Sequence, residues 1–215
     1  MRSLLQSVGL ALGALLAPVG GAVGSAEPLT IVALGTSLTE GIDWPQRLGA
    51  RLSACSGRPV RVETVARSGM TSNWGLGQVE RVLALRPDIV LLEFAMNDAN
   101  WRRFVSREKS RANTVSLVRQ VRSSLPGSRV FLMTTNVVHG LRGLMRPTVG
   151  AYYRLYRDIA AAEGLGLIDL EPRWAALSAQ ELRRAVPDGV HPTLEAFEAI
   201  ALPEIVSALG GERCR

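Results

Sequence analysis

Lysine, cysteine and histidine are all scarce in this 215-residue chain, and each scarcity narrows what the protein can be. Cysteine occurs only as Cys55 and Cys214. Two so widely separated thiols exclude a protein-only Cys-rich zinc site, leaving two free thiols or one disulfide. Lysine occurs once, as Lys109, so arginine carries nearly all of the surplus behind the formal charge of +6. The arginines are scattered singly or in pairs such as Arg102 with Arg103 and Arg183 with Arg184. Without a basic run, a nucleic-acid partner is not expected, and a solvated arginine-rich surface is. Internal repeats and low-complexity segments are also missing beyond the amino terminus.

The amino terminus is different in kind. Residues 1–26 combine one early Arg2, an apolar stretch over roughly residues 4–17 and small residues ending at Ala26. That is the pattern of a cleavable signal peptide. Pro18, Gly20 and Gly21 interrupt the apolar run before it reaches the ~20 residues a spanning helix needs. Cleavage near Ala26 is expected, with no adjoining cysteine for lipid attachment. The protein is then exported, periplasmic or extracellular, without integral membrane association. Residues 27–215 are expected to form a single domain, since 47% hydrophobic content suffices for one substantial core.

Within that domain apolar, β-branched runs alternate with helical patterns. Strands are expected over residues 29–34, 60–66, 88–94, 129–135 and 165–170. Alternation in VRVETVA places the second near a sheet edge. Helices are expected over about residues 44–53, 76–85, 106–125, 148–163, 174–185 and 194–209, with Pro87, Pro126, Gly127 and Gly164 as stops. Strands joined by helices of this length make a parallel sheet between two helical layers, a three-layer α/β/α sandwich around five strands. In the common doubly wound order the first and last helices share one face. Cys55 and Cys214 then come out at the same edge, and export favours a disulfide between them.

Ligand sites in such sheets lie beyond the carboxyl ends of the strands. Four of these loops carry candidates: Ser37 after the first strand, Ser68 with Gly69 after the second, Asn97 with Asp98 after the third, and Asp188 with His191 after the fifth. Ser37 ends the run LTIVALGTS, where it reads either as a nucleophile or as part of a Ser/Thr helix cap. A serine nucleophile needs a base and a third group to orient that base. The base is His139 or His191. Asp188 stands three residues before His191 and can fold back onto it, whereas His139 has no nearby carboxylate and reads as a surface or turn residue.

The segments GTSLTEG, SGMTS, AMNDAN and DGVHP, in this order and spacing, resemble the sequence blocks of the SGNH hydrolases, also called GDSL esterases and lipases. The resemblance covers essentially the whole mature chain and implies a flavodoxin-like sheet. It also implies Ser37 as nucleophile and amide donor, Gly69 as a second amide donor, Asn97 as a side-chain donor, and Asp188 with His191 as the rest of a triad. Thr36 stands where the family often has Asp, and Ala95 where its third block usually has Gly; both departures bear on subfamily. The G-x-S-x-G elbow of α/β-hydrolases is absent, because Gly41 follows Ser37 by four residues.

The reading is therefore a serine ester hydrolase for short acyl esters, including O-acetyl groups of a carbohydrate, with no metal or organic cofactor. Trp44, Trp74 and Trp101 follow the site residues closely and, with Arg67, Arg102 and Arg103, are candidates for a substrate rim; the other reading of each tryptophan is core. Two alternatives stand beside it. One is a lysophospholipase or thioesterase with a longer acyl pocket; the other is a non-catalytic carbohydrate-binding protein on the same scaffold.

Overall fold

Five short strands line up in the order β2-β1-β3-β4-β5, all parallel, in the computed structural model. The structure describes residues 27–210 and residue 214; the leader expected over residues 1–26 lies outside them. The chain enters through β1 (Leu29–Gly35), α1 (Ser37–Glu40), α2 (Trp44–Ser56) and β2 (Val60–Ala66). It continues through α3 (Ser72–Leu76), α4 (Val79–Ala84), β3 (Ile89–Leu92), α5 (Ala95–Asp98), a 3-10 turn (Trp101–Arg103) and α6 (Arg107–Ser124). The remainder holds β4 (Arg129–Met133), α7 (Gly140–Leu144), α8 (Val149–Glu163) and β5 (Gly166–Ile168), then α9 (Glu171–Ala175), α10 (Ala179–Ala185), α11 (Leu194–Ile200) and α12 (Leu202–Gly210).

Side-chain alternation along a strand produces the layers. Ile31, Ala33, Ile89, Leu91, Phe131 and Met133 face α2, α11 and α12, while Val32, Leu34, Val90, Leu92, Val130 and Leu132 face α4, α6 and α8. Both faces of β1 and β3 are covered, which is why these strands read as unbroken apolar runs. As expected, β2 lies at an edge. Cys55 in α2 and Cys214 are joined as a disulfide, their Cα atoms 5.3 Å apart. No helix of the described residues is long and apolar enough to cross a membrane.

The expected helices differ from the observed ones where local chemistry breaks them. The segment 76–85 holds the shorter helix α4, and a separate helix, α3, precedes it where none was expected and closes at Gly77. The segment 174–185 is split into α9 and α10, the latter started by a capping box of Ser178 and Glu181. The segment 194–209 breaks at Ala201, two residues before Pro203, which lacks the N–H an unbroken helix would use. The region 95–105, expected as an irregular loop, contains α5 and a 3-10 turn, with residues 95–100 buried.

Candidate active site

Strand order reverses between β1 and β3, and the crevice beyond their carboxyl ends is where such a sheet opens to a ligand. Ser37 begins α1 at this point. Thr36 caps that helix, accepting from the Leu38 amide, so Ser37 has no capping duty and its hydroxyl is free. Its Oγ lies 2.8 Å from His191 Nε2. On the other side of the ring, His191 Nδ1 lies 2.7 Å from Asp188 Oδ2. With Nδ1–H donating to the carboxylate, Nε2 is the acceptor for the Ser37 hydroxyl.

Asp188 is held by more than the ring. Its Oδ1 accepts from the amides of Val190 (2.9 Å) and His191 (2.7 Å). Partial burial raises its pKa, but the ring and amide hydrogen bonds more than offset this and hold the carboxyl well below the usual range. The tight loop needs Gly189, whose φ is +81° and whose missing Cβ would collide with the His139 carbonyl. His139 therefore has a structural role that its sequence context does not suggest. Its amide donates to Gly189 O (3.0 Å) and its Nε2 donates to Val186 O (2.7 Å), bracing the loop that carries Asp188 and His191.

Ser37, Gly69 and Asn97, the three candidate donors, line the same cleft of about 390 Å³ as His191. Among the described residues, the Ser37 and Gly69 amides find no acceptor in the protein. Asn97 is oriented at both ends of its amide, with Nδ2 donating to Met70 O (2.9 Å) and Oδ1 accepting from Arg146 Nη2 (3.2 Å). One N–H of Asn97 remains for a ligand. The neighbouring Asp98 is buried and structural, tying the Ser72 amide to the Ser110 hydroxyl.

Several residues around the cleft depart from expectation. Trp44 is no rim residue: it is buried, its indole donates to Leu38 O (2.8 Å) and it stacks on Phe197 at 5.5 Å, because α2 turns that side chain inward. Trp74 is half-buried against Phe94. Arg67 and Arg102 are exposed and lie outside the cleft lining, whereas Arg103, also exposed, is one of the residues that line it. Trp101 is exposed, as a rim residue would be, but it does not line the cleft. The segment after β4 supplies what sequence reasoning missed, Arg142 and Arg146, both lining the cleft. Their only advance signal is a spacing of four residues after a strand end, which places them on one side of a helical turn. A larger groove of about 1150 Å³ between α6 and α8 is shallow and contains no nucleophile and base pair.

Glu93, just beyond β3, was also missed. Its carboxyl is fully enclosed and accepts from the Thr36 amide and from the hydroxyls of Thr36 and Thr39. Burial pushes its pKa up from the ordinary 4.5 to about 7, against the opposing pull of those hydrogen bonds. An acid raised in the folded state holds a proton the unfolded chain has lost, so its favourable contribution is complete below the ordinary value and disappears as pH rises through about 7. Urea unfolding between about pH 5 and pH 8 should show Glu93→Gln gaining up to about 3 kcal/mol on the wild type across the window. Parallel pH profiles for the two proteins would contradict this assignment.

A profile of the GDSL-like lipase/acylhydrolase family matches residues 33–199. Among solved structures, the lipase/acylhydrolase from Enterococcus faecalis is similar at 25% identity with a TM-score of 0.75, over 85% of this chain and 96% of that one. An acetylxylan esterase from Geobacillus stearothermophilus, crystallised as a catalytic mutant, has 22% identity and a TM-score of 0.72 over 90% and 98% of the two chains. An alpha/beta hydrolase enzyme from the metagenome of Lake Arreo has 23% identity and a TM-score of 0.71 over 85% and 95%. The sequence matches no curated protein.

Proposed function

The chain belongs to the GDSL-like lipase/acylhydrolase family and is a carboxylic ester hydrolase, and from that premise we propose that it is an exported serine esterase for short-chain acyl esters, including carbohydrate O-acetyl esters. The observation that carries the reading is the unbroken line from Ser37 Oγ to His191 Nε2 (2.8 Å) and from His191 Nδ1 to Asp188 Oδ2 (2.7 Å). His191 takes the Ser37 proton as Oγ attacks the ester carbonyl. The oxyanion then receives the Ser37 amide, the Gly69 amide and the spare Asn97 N–H. The imidazolium returns its proton to the departing alcohol, and water attacks the acyl-enzyme with His191 again as base. Asn97→Ala should lower kcat by about 10²–10³ with a smaller change in KM, because the donor matters most when charge develops. An equal effect on KM and kcat would point to ground-state binding instead.

Short acyl groups fit a cleft of about 390 Å³ that is open at the surface. The Cys55–Cys214 disulfide accords with an oxidising compartment, which the leader in the sequence also favours. The second reading, a lysophospholipase or thioesterase with a longer acyl preference, has one observation behind it. Trp101, Phe104, Leu141 and Leu144 are exposed on segments joined by the Trp101 amide to Met145 O bond, an apolar surface beside the cleft. Rates on acetyl, butyryl and octanoyl p-nitrophenyl esters separate the two: acetyl is expected to be fastest, and a strong octanoyl preference would install the second reading. A fluorophosphonate probe should label Ser37; failure to label would favour a binding protein.

A further inference from the structure

We propose that this cleft selects esters that carry an anionic group, a carboxylate or phosphate, which Arg103, Arg142 and Arg146 receive; the inference rests on the esterase reading and names its substrate class. All three side chains line the cleft, and none of its lining residues is acidic. Arg146 is only 8% exposed. Its guanidinium donates only to neutral acceptors, Met96 O (3.1 Å), Arg142 O (3.1 Å) and Asn97 Oδ1 (3.2 Å). A guanidinium has five N–H groups, so two remain uncommitted. Arg103 packs its Nη2 over Gly69, the proposed oxyanion donor. Among the described residues, neither Arg103 nor Arg146 has an ion-pair partner. Arg142 has one, Asp188 at 2.7 Å, but that carboxylate also serves the His191 ring.

Three guanidinium groups thus share a single carboxylate at one small cleft. Arg146 is the buried member of the three, and a buried charge without a counter-ion is costly. An anionic substrate group supplies the missing charge, and guanidinium recognises carboxylate and phosphate through charge-assisted paired hydrogen bonds. A neutral sugar or alkyl ester would leave the charge imbalance in place. Arg146 also holds the Asn97 oxygen, so a purely positional role for it would slow every ester by the same factor. Charge selectivity is the property that separates recognition from positioning.

The test is a series of acetates alike except for charge: meta-carboxyphenyl, meta-phosphatophenyl, phenyl and meta-(trimethylammonio)phenyl acetate, each kcat/KM divided by the ester's own hydroxide-catalysed rate. At low salt the anionic members are expected to exceed phenyl acetate by at least about tenfold and the cationic member to fall below it, with the spread shrinking as salt screens the cleft. The ratio of the two anionic members tells carboxylate from phosphate. Arg103→Gln, on an exposed turn, and Arg146→Gln should each move the anionic-to-neutral ratio toward one, with fluorophosphonate labelling as the check that the site is still assembled. A flat series from a wild-type protein that labels and cleaves phenyl acetate overturns anion selection and leaves the esterase reading standing. Absence of both labelling and turnover would overturn the esterase reading itself. Variants that slow all four esters equally would reduce Arg103 and Arg146 to positioning residues and also overturn the proposal.

Discussion

Ser37→Ala should lower ester turnover by about 10⁵–10⁶-fold while leaving the protein folded, to be checked by kcat on p-nitrophenyl acetate and by thermal melting side by side. The size follows from the way a triad works as a unit: without the nucleophile, the base and the oxyanion donors have nothing to activate. The expectation of intact folding has its own structural basis. The helix that begins at Ser37 is capped by Thr36, and the Ser37 hydroxyl bonds to His191 alone. Losing it removes one half-exposed hydrogen bond, worth about 1 kcal/mol. Wild-type turnover in the variant would remove Ser37 from the mechanism, whereas a large loss of stability would make the activity loss uninformative about chemistry.

The second large effect is expected from Asp188→Asn, a loss of about 10⁴-fold in kcat at neutral pH. The substitution keeps the shape of the side chain and leaves one oxygen to accept the Val190 and His191 amides, now at Oδ1. The atom facing His191 Nδ1, Oδ2 in the native protein, becomes an amide nitrogen. A donor there forces Nδ1 to accept, which puts the ring proton on Nε2. An Nε2–H cannot take the Ser37 proton, so the base is present in the wrong tautomer. Arg142 also loses its ion pair at 2.7 Å, but that pair is largely solvent-exposed and worth little to stability. A loss below about tenfold would mean that the ring is oriented by something other than this carboxylate.

Much of the candidate site was legible because its residues lie at strand ends or within tight loops. The apolar run ending at Gly35 marked a buried central strand, and Ser37 two residues later had to emerge at its tip. Asp188 and His191 are three residues apart, a distance a Gly-containing turn closes by itself. What remained hidden depended on residues far apart in the chain. Nothing local announces that His139 braces the loop at residues 186–191, that Glu93 gathers Thr36 and Thr39, or that Arg146 grips Asn97 across 49 positions. Trp44 looked like a rim residue because proximity in sequence to Ser37 says nothing about which way α2 faces, and packing against Phe197 turned it into core.

By itself, then, the order of amino acids determined the alternation of strands and helices, the edge position of β2 and the set of loops able to carry chemistry. Those properties follow from local conformational preference and from the period of apolar residues, both of which act over a few neighbours. Tertiary structure alone decided which charged groups meet: three arginines from two separate segments converge on one cleft while Trp44 and Trp74 withdraw from it. Such encounters are set by how layers pack and how strand-end loops fold over the sheet. Charge acts through space across those contacts, and distance along the chain does not encode it.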